Sequence, residues 1–216
     1  MNETLTRLLS GVVYIVLLLF AISYSTTSFF ILFGVFMVTA INEFCNLVQI
    51  SKIVPFIVGI LLFYFFTFGE IKENLVIQIT LAITLLISIR AILFLFSKES
   101  KPCSTVDKYL YTLGYIILPF IFITKIPFGI KGYNPKIIIG IFILIWTNDT
   151  FAYIVGKSIG KNKLFERISP KKTIEGLIGG LVFSIFAGIL ISKYYIGSKS
   201  IDTMYIWIVI AFIASM

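Results

Sequence analysis

Ile137-Ile138-Ile139-Gly140-Ile141-Phe142-Ile143-Leu144-Ile145-Trp146-Thr147-Asn148-Asp149-Thr150-Phe151-Ala152-Tyr153-Ile154-Val155-Gly156 is an apolar run with one formal charge, Asp149. About 20 such residues are enough to cross a bilayer as a helix. Seven further runs flank it, so the sequence predicts spans at 8–24, 28–48, 53–69, 75–96, 109–125, 137–156, 176–193 and 203–216. The expected fold is all-α: a polytopic transmembrane helical protein of about eight spans, in a single transmembrane domain over 1–216. The first run lacks a basic start and a small-residue cleavage site, and is read as a helix rather than a signal peptide.

Composition agrees. Of 216 residues, 59% are hydrophobic and 13% charged, against roughly 25% charged in soluble domains. A chain this short cannot hide so much apolar surface in a water-soluble core. The net charge of +8 sits between apolar runs. Its expected partners are therefore membrane lipids and anionic substrates, with no nucleic acid. The chain has no histidine, which excludes His-based acid–base catalysis and His metal sites. Cys45 and Cys103 form no CxxC pattern and read as small apolar fillers.

Lysine and arginine set the orientation. With the N-terminus cytosolic, the inward connections collect Arg7, Lys52, Arg90, Lys98, Lys101, Lys108, Lys157, Lys161, Lys163, Arg167, Lys171 and Lys172. The outward ones collect Lys72, Lys125, Lys131, Lys136, Lys193 and Lys199. Twelve against six favours N-in. The segment Lys98–Lys108 reads as a solvated loop. The last run, 203–216, is short for a span, so the sequence is read as a fragment of a chain that continues past Met216.

Ionisable residues inside spans are functional candidates. Glu43 and Asp149 qualify. Ala152, Tyr153, Gly156 and Gly160 follow Asp149 on one helix face, and Gly156 with Gly160 makes a small-xxx-small pair. Asp149 lies about 12 Å below Lys157 along the helix. A carboxylate there needs a cation, a lysine or a wet cavity; the alternative is a helix–helix hydrogen bond with Asn148. Gly176, Gly179 and Gly180 read as a close helix contact. Beyond Lys157 comes the richest basic loop. Ser169 is expected to cap a helix whose first residue is Pro170. Lys171, Lys172 and Thr173 would then share the positive end of that helix and converge on an anion. Glu175 would pair with Lys171 at i,i+4 or face a metal ion. The bland alternative is a juxtamembrane patch that sets topology and binds headgroups.

Asn148-Asp149-x-x-Ala152-Tyr153-x-x-Gly156-Lys157-x-x-Gly160-Lys161, followed by Ile168-Ser169-Pro170-Lys171-Lys172-Thr173-x-Glu175-Gly176, resembles the bacterial phosphatidate cytidylyltransferases, or CDP-diacylglycerol synthases. The family also tends to carry a Glu in the region of Glu43. The resemblance implies an enzyme of the cytoplasmic (inner) membrane that joins CTP to phosphatidate, giving CDP-diacylglycerol and pyrophosphate with Mg2+. Such a reaction needs positioning, charge neutralisation and metal rather than a strong base.

On this resemblance the catalytic candidates are Asp149, Lys172 and Glu175. Substrate would meet Asn148, Tyr153, Lys157, Lys161, Ser169, Lys171 and Thr173. Asp149 is the metal-ligand candidate. The family also suggests a homodimer. Its later signature, a Lys-Arg and Lys-Asp segment followed by His-Gly-Gly and two aspartates that hold metal, is not among these residues. The main metal ligands are thus expected beyond Met216, and these residues alone are expected to be inactive. A CTP-dependent polyprenol or phytol kinase is the second enzyme reading; a transporter or structural membrane protein is the third.

Overall fold

The computed structural model describes residues 3–69, 74–96, 103–129, 132–197 and 200–215. Of the residues named above, Lys72, Lys98, Lys101, Lys131, Lys199 and Met216 lie outside the described residues. So does the first part of the Lys98–Lys108 segment; its second part, expected as a solvated loop, enters a helix that Ser104 caps.

The helices are α1 (Glu3–Tyr24), α2 (Thr26–Val48), α3 (Ile53–Phe68), α4 (Asn74–Phe96), α5 (Thr105–Tyr111), α6 (Leu118–Lys125), α7 (Pro135–Ile159), α8 (Ile174–Leu190) and α9 (Ile201–Ala214). Each predicted apolar run falls on helix, as lipid demands: only an element that satisfies its own backbone is stable there. Five stretches are long and apolar enough to cross a membrane: Thr26–Val48, Leu75–Phe96, Thr105–Lys125, Pro135–Ile159 and Ile174–Tyr195. Leu9–Tyr24, Ile53–Phe68 and Ile201–Ala214 are apolar but shorter. The predicted all-α, membrane-embedded class therefore holds at this level.

Between α5 and α6 the chain runs as a π-helical stretch, Thr112–Ile117. Pro119 follows it. Proline has no N–H to give to the preceding turn, and a widened turn is one way a helix absorbs that loss.

Packing divides the chain into two compact units, Met1–Phe128 and Gly129–Met216. In the first, Met37, Ile41 and Cys45 of α2 lie on one stripe at four-residue spacing. They meet Phe63 and Phe66 of α3, and Ile117, Leu118 and Ile121. Gly59 admits Ile41, whose Cδ1 would be 2.8 Å from a Cβ at that position. Glu43 lies outside this stripe, exposed on α2.

In the second unit α7, α8 and α9 pack together around Leu144, Ile191, Trp207 and Ala211. The buried face of α8 is Gly176, Gly180, Ser184 and Gly188, again every fourth residue. A Cβ on Gly180 would meet Asn148 Oδ1 at 2.4 Å and the Asn148 carbonyl at 3.0 Å. On Gly179 it would meet the Val155 side chain at 2.6 Å. The expected close contact through Gly176, Gly179 and Gly180 is thus present. It matters because lipid tails are as apolar as the side chains, leaving close packing to hold the helices together.

Gly180→Val should therefore lower stability by about 1–3 kcal/mol through overpacking against backbone. Gly11→Ala, at a position with nothing within 4 Å, should be neutral. Denaturation of the two variants in mixed micelles checks this; equal midpoints would contradict the packing account.

Candidate functional site

The site grows from the end of α7. Gly160 caps this helix in an extended conformation, φ −65° and ψ 122°, with its N–H donating to the Gly156 carbonyl. The chain then makes a short antiparallel hairpin, β1 (Lys163–Phe165) and β2 (Ser169–Thr173), with Lys163 opposite Thr173 and Phe165 opposite Ser169. The Ile168 N–H donates to the Phe165 carbonyl at 3.2 Å and closes the turn. The Ile174 N–H donates to the Asn162 carbonyl at 2.9 Å, carrying the pairing on to the start of α8.

This hairpin corrects the expected helix start. Ser169 is a strand residue, not a cap, and Pro170, Lys171 and Lys172 are extended. The cap is Thr173: φ −122°, ψ 154°, its Oγ1 accepting from the Gly176 N–H at 3.1 Å. The extended course is open to proline: Pro170 is tolerated in a two-stranded edge because it needs no N–H there. Thr173 is also buried among glycines: a Cβ on Gly156, Gly160 or Gly176 would lie 3.0, 2.8 or 3.0 Å from its Oγ1. The lysines are therefore not on a helix end. The strand pairing is irregular between Lys163–Thr173 and Phe165–Ser169, where Pro170, Lys171 and Lys172 lie, as in a β-bulge.

Glu175 has a different task from an i,i+4 pair with Lys171. Its carboxylate accepts from the Lys161 N–H at 3.1 Å, the Asn162 N–H at 3.2 Å and the Asn162 side-chain amide at 2.8 Å. It lies in the first turn of α8, where the helix dipole favours a negative charge. One side chain thus fastens the loop after α7 to the start of α8. Sequence reasoning passed over Asn162; its signal is weak, an amide between two lysines. Lys163 is also engaged, donating to the Pro170 carbonyl at 2.6 Å.

Six cations, Lys157, Lys161, Lys163, Arg167, Lys171 and Lys172, stand against Glu166 and Glu175 over residues 157–175. All six are exposed. The Lys157 ammonium lies 5.7 Å from the centre of the Tyr153 ring, a cation–π contact. Asp149 and Tyr153 are exposed on α7, while Asn148, Ala152, Gly156 and Gly160 meet α8 or Thr173. The contact face of α7 is thus one position round from the predicted one. Asn148 Oδ1 is buried against Gly180 with no hydrogen-bond partner among the described residues.

A glycine-lined helix pair bearing a clamped, exposed basic hairpin, in a chain of long apolar helices, defines a multi-pass membrane protein. The sequence matches the model of the cytidylyltransferase family over residues 5–216, and the chain belongs to that family. It is 44% identical over 73 residues to a phosphatidate cytidylyltransferase of Aquifex aeolicus, covering 33% of this chain and 28% of that protein. It is 29% identical over 186 residues to the phosphatidate cytidylyltransferase of Bacillus subtilis, covering 83% of this chain and 68% of that protein. A phosphatidate cytidylyltransferase of Staphylococcus haemolyticus is 53% identical over 49 residues, covering 23% of this chain and 19% of that protein. In two of these three the match spans less than a third of the relative's own length. No solved structure matches.

Removing the clamp tests the geometry. In Glu175→Ala the Lys161 and Asn162 amides should exchange with deuterium about tenfold faster, as expected for a lost hydrogen bond to a charged group. Unchanged exchange at both amides would refute the clamp.

Proposed function

We propose that the protein transfers the cytidylyl group of CTP to phosphatidate, releasing pyrophosphate and leaving CDP-diacylglycerol in the membrane. The basic hairpin held at the end of the α7–α8 pair, in a chain of this family, is the observation that carries the reading. An oxygen of the lipid phosphate attacks the α-phosphorus of CTP. The bond from that phosphorus to the bridging oxygen breaks, and its electron pair leaves with pyrophosphate. The attacking oxygen is already anionic, so no strong base is required. What the chain must supply is charge and position.

Lys171 and Lys172, both exposed on β2, would hold phosphates of CTP or of the lipid. Lys157 and Lys161 add positive charge from the α7 side, with Tyr153 supporting Lys157. Ser169 is half-buried on the same strand and is assigned to substrate. Thr173 and Glu175 act as positioning residues, because the first caps α8 and the second clamps the loop. The unpartnered Asn148 carbonyl is an acceptor that a substrate donor could satisfy.

Among the described residues there is no cluster of three or more metal-ligating side chains. Mg2+ is commonly held by one or two carboxylates together with substrate phosphates, and the exposed carboxylate of Asp149 fits that use. Bound there, Mg2+ would neutralise charge on the phosphates.

The eight apolar runs and the lysine asymmetry support eight spans with the N-terminus and the hairpin in the cytosol, where CTP is. The bacterial relatives support the inner membrane. A homodimer rests on the family resemblance.

In the full-length enzyme that contains these residues, Lys172→Ala should lower pyrophosphate release from CTP and phosphatidate by about 100-fold or more, the range seen when a charge-stabilising group is lost, with membrane insertion unchanged. Near-normal turnover would remove Lys172 from the site.

A further inference from the structure

The first unit contains a cleft of about 580 Å³ between α2, α4 and the α5 helix with its π-helical extension. That is within the usual range for a ligand pocket. One wall is Ala91, Ile92 and Leu95 of α4; the other is Tyr111 and Tyr115. From Lys108 to Tyr115 it follows its helix for about 10 Å, roughly a third of the hydrocarbon layer. So apolar a lining gives water few partners.

The mouth is different. Gln49 and Lys108 line it, near the C-terminal ends of α2 and α4 and the start of α5. Gln49 ends α2 in the left-handed conformation, φ 57° and ψ 57°, its N–H donating to the Cys45 carbonyl. A non-glycine residue seldom adopts it. Nearby charges are already matched. The Asp107 carboxylate accepts from Arg90 and from the Ser104 hydroxyl, and the Lys52 ammonium donates to Asn42 Oδ1 at 2.8 Å. The Lys108 ammonium has no partner among the described residues. A cation without a partner among the described residues thus lines a largely apolar cleft, in the connection that the lysine asymmetry assigns to the cytosolic side.

We infer that this cleft binds an anionic phospholipid, with one acyl chain along Ala91, Ile92 and Tyr115 and the phosphate on the Lys108 ammonium beside the Gln49 amide. The site belongs to the first unit and is independent of the hairpin. The occupant is a bulk anionic lipid, phosphatidylglycerol; phosphatidate is the second arm of the test.

Native mass spectrometry of the purified chain, released from detergent with added lipid, tests this. Phosphatidylglycerol should bind more tightly than phosphatidylcholine by about fivefold, the preference one lysine gives near an anionic surface. Lys108→Ala should remove that preference, and Ala91→Phe, which fills the slot, should lower phosphatidylglycerol binding with Lys108 still present. In the phosphatidate arm, binding that depends on Lys108 and exceeds that of phosphatidylglycerol makes the cleft a reservoir for the monoester. Equal binding makes it a site for anionic lipids in general. Equal binding of phosphatidylglycerol and phosphatidylcholine, or a Lys108→Ala chain that keeps the preference, overturns the proposal.

Discussion

The second unit depends on how closely two helix backbones can approach. Gly176 and Gly180 of α8 lie against the backbone of Ala152 and Asn148 of α7, and Gly156 with the cap Gly160 against Thr173, leaving no room for an added Cβ. In water such a contact would be assisted by burial of apolar area. In lipid that drive is missing, and packing must hold the pair. The same contact creates the space that Thr173 fills. Its hydroxyl caps α8 while its surroundings are glycine, so helix packing and helix initiation are fixed at one point.

The hairpin inherits its position from that point. A loop with six cations over residues 157–175 repels itself and has little apolar surface to hold it down. Thr173 anchors one end of it, and the Glu175 carboxylate takes up the backbone at Lys161 and Asn162 near the other. The remaining cations face solvent and are available to anions. A carboxylate in the middle of a basic loop thus serves the site by holding it in shape.

Much of this was legible in the sequence. Apolar runs of spanning length are read from composition alone, and each fell on helix within the described residues. The glycines of α8 were read as a close contact because small residues at such spacing have few other uses in lipid. The error lay at the hairpin. Ser169-Pro170 has the chemistry of a helix start, but so does Thr173 with Glu175 two residues on, and local propensity does not choose between them. The choice is made by the glycine pocket, which exists only once α7 and α8 are packed. The same holds for Asp149: periodicity placed it on a helix face with Gly156, while packing chose Asn148, one position away. The role of Glu175 was hidden because its partners are mainly backbone N–H groups of a distant loop.

The position of the isotope after reaction tests the function most directly. The full-length protein that contains these residues, in vesicles holding both phosphatidate and a polyprenol, is given CTP labelled at either the α- or the γ-phosphorus, with Mg2+. Cytidylyl transfer predicts that the α-label enters the lipid fraction and the γ-label leaves as pyrophosphate. Entry of the γ-label into lipid, with CDP released, would contradict the account and make the chain part of a CTP-dependent lipid kinase.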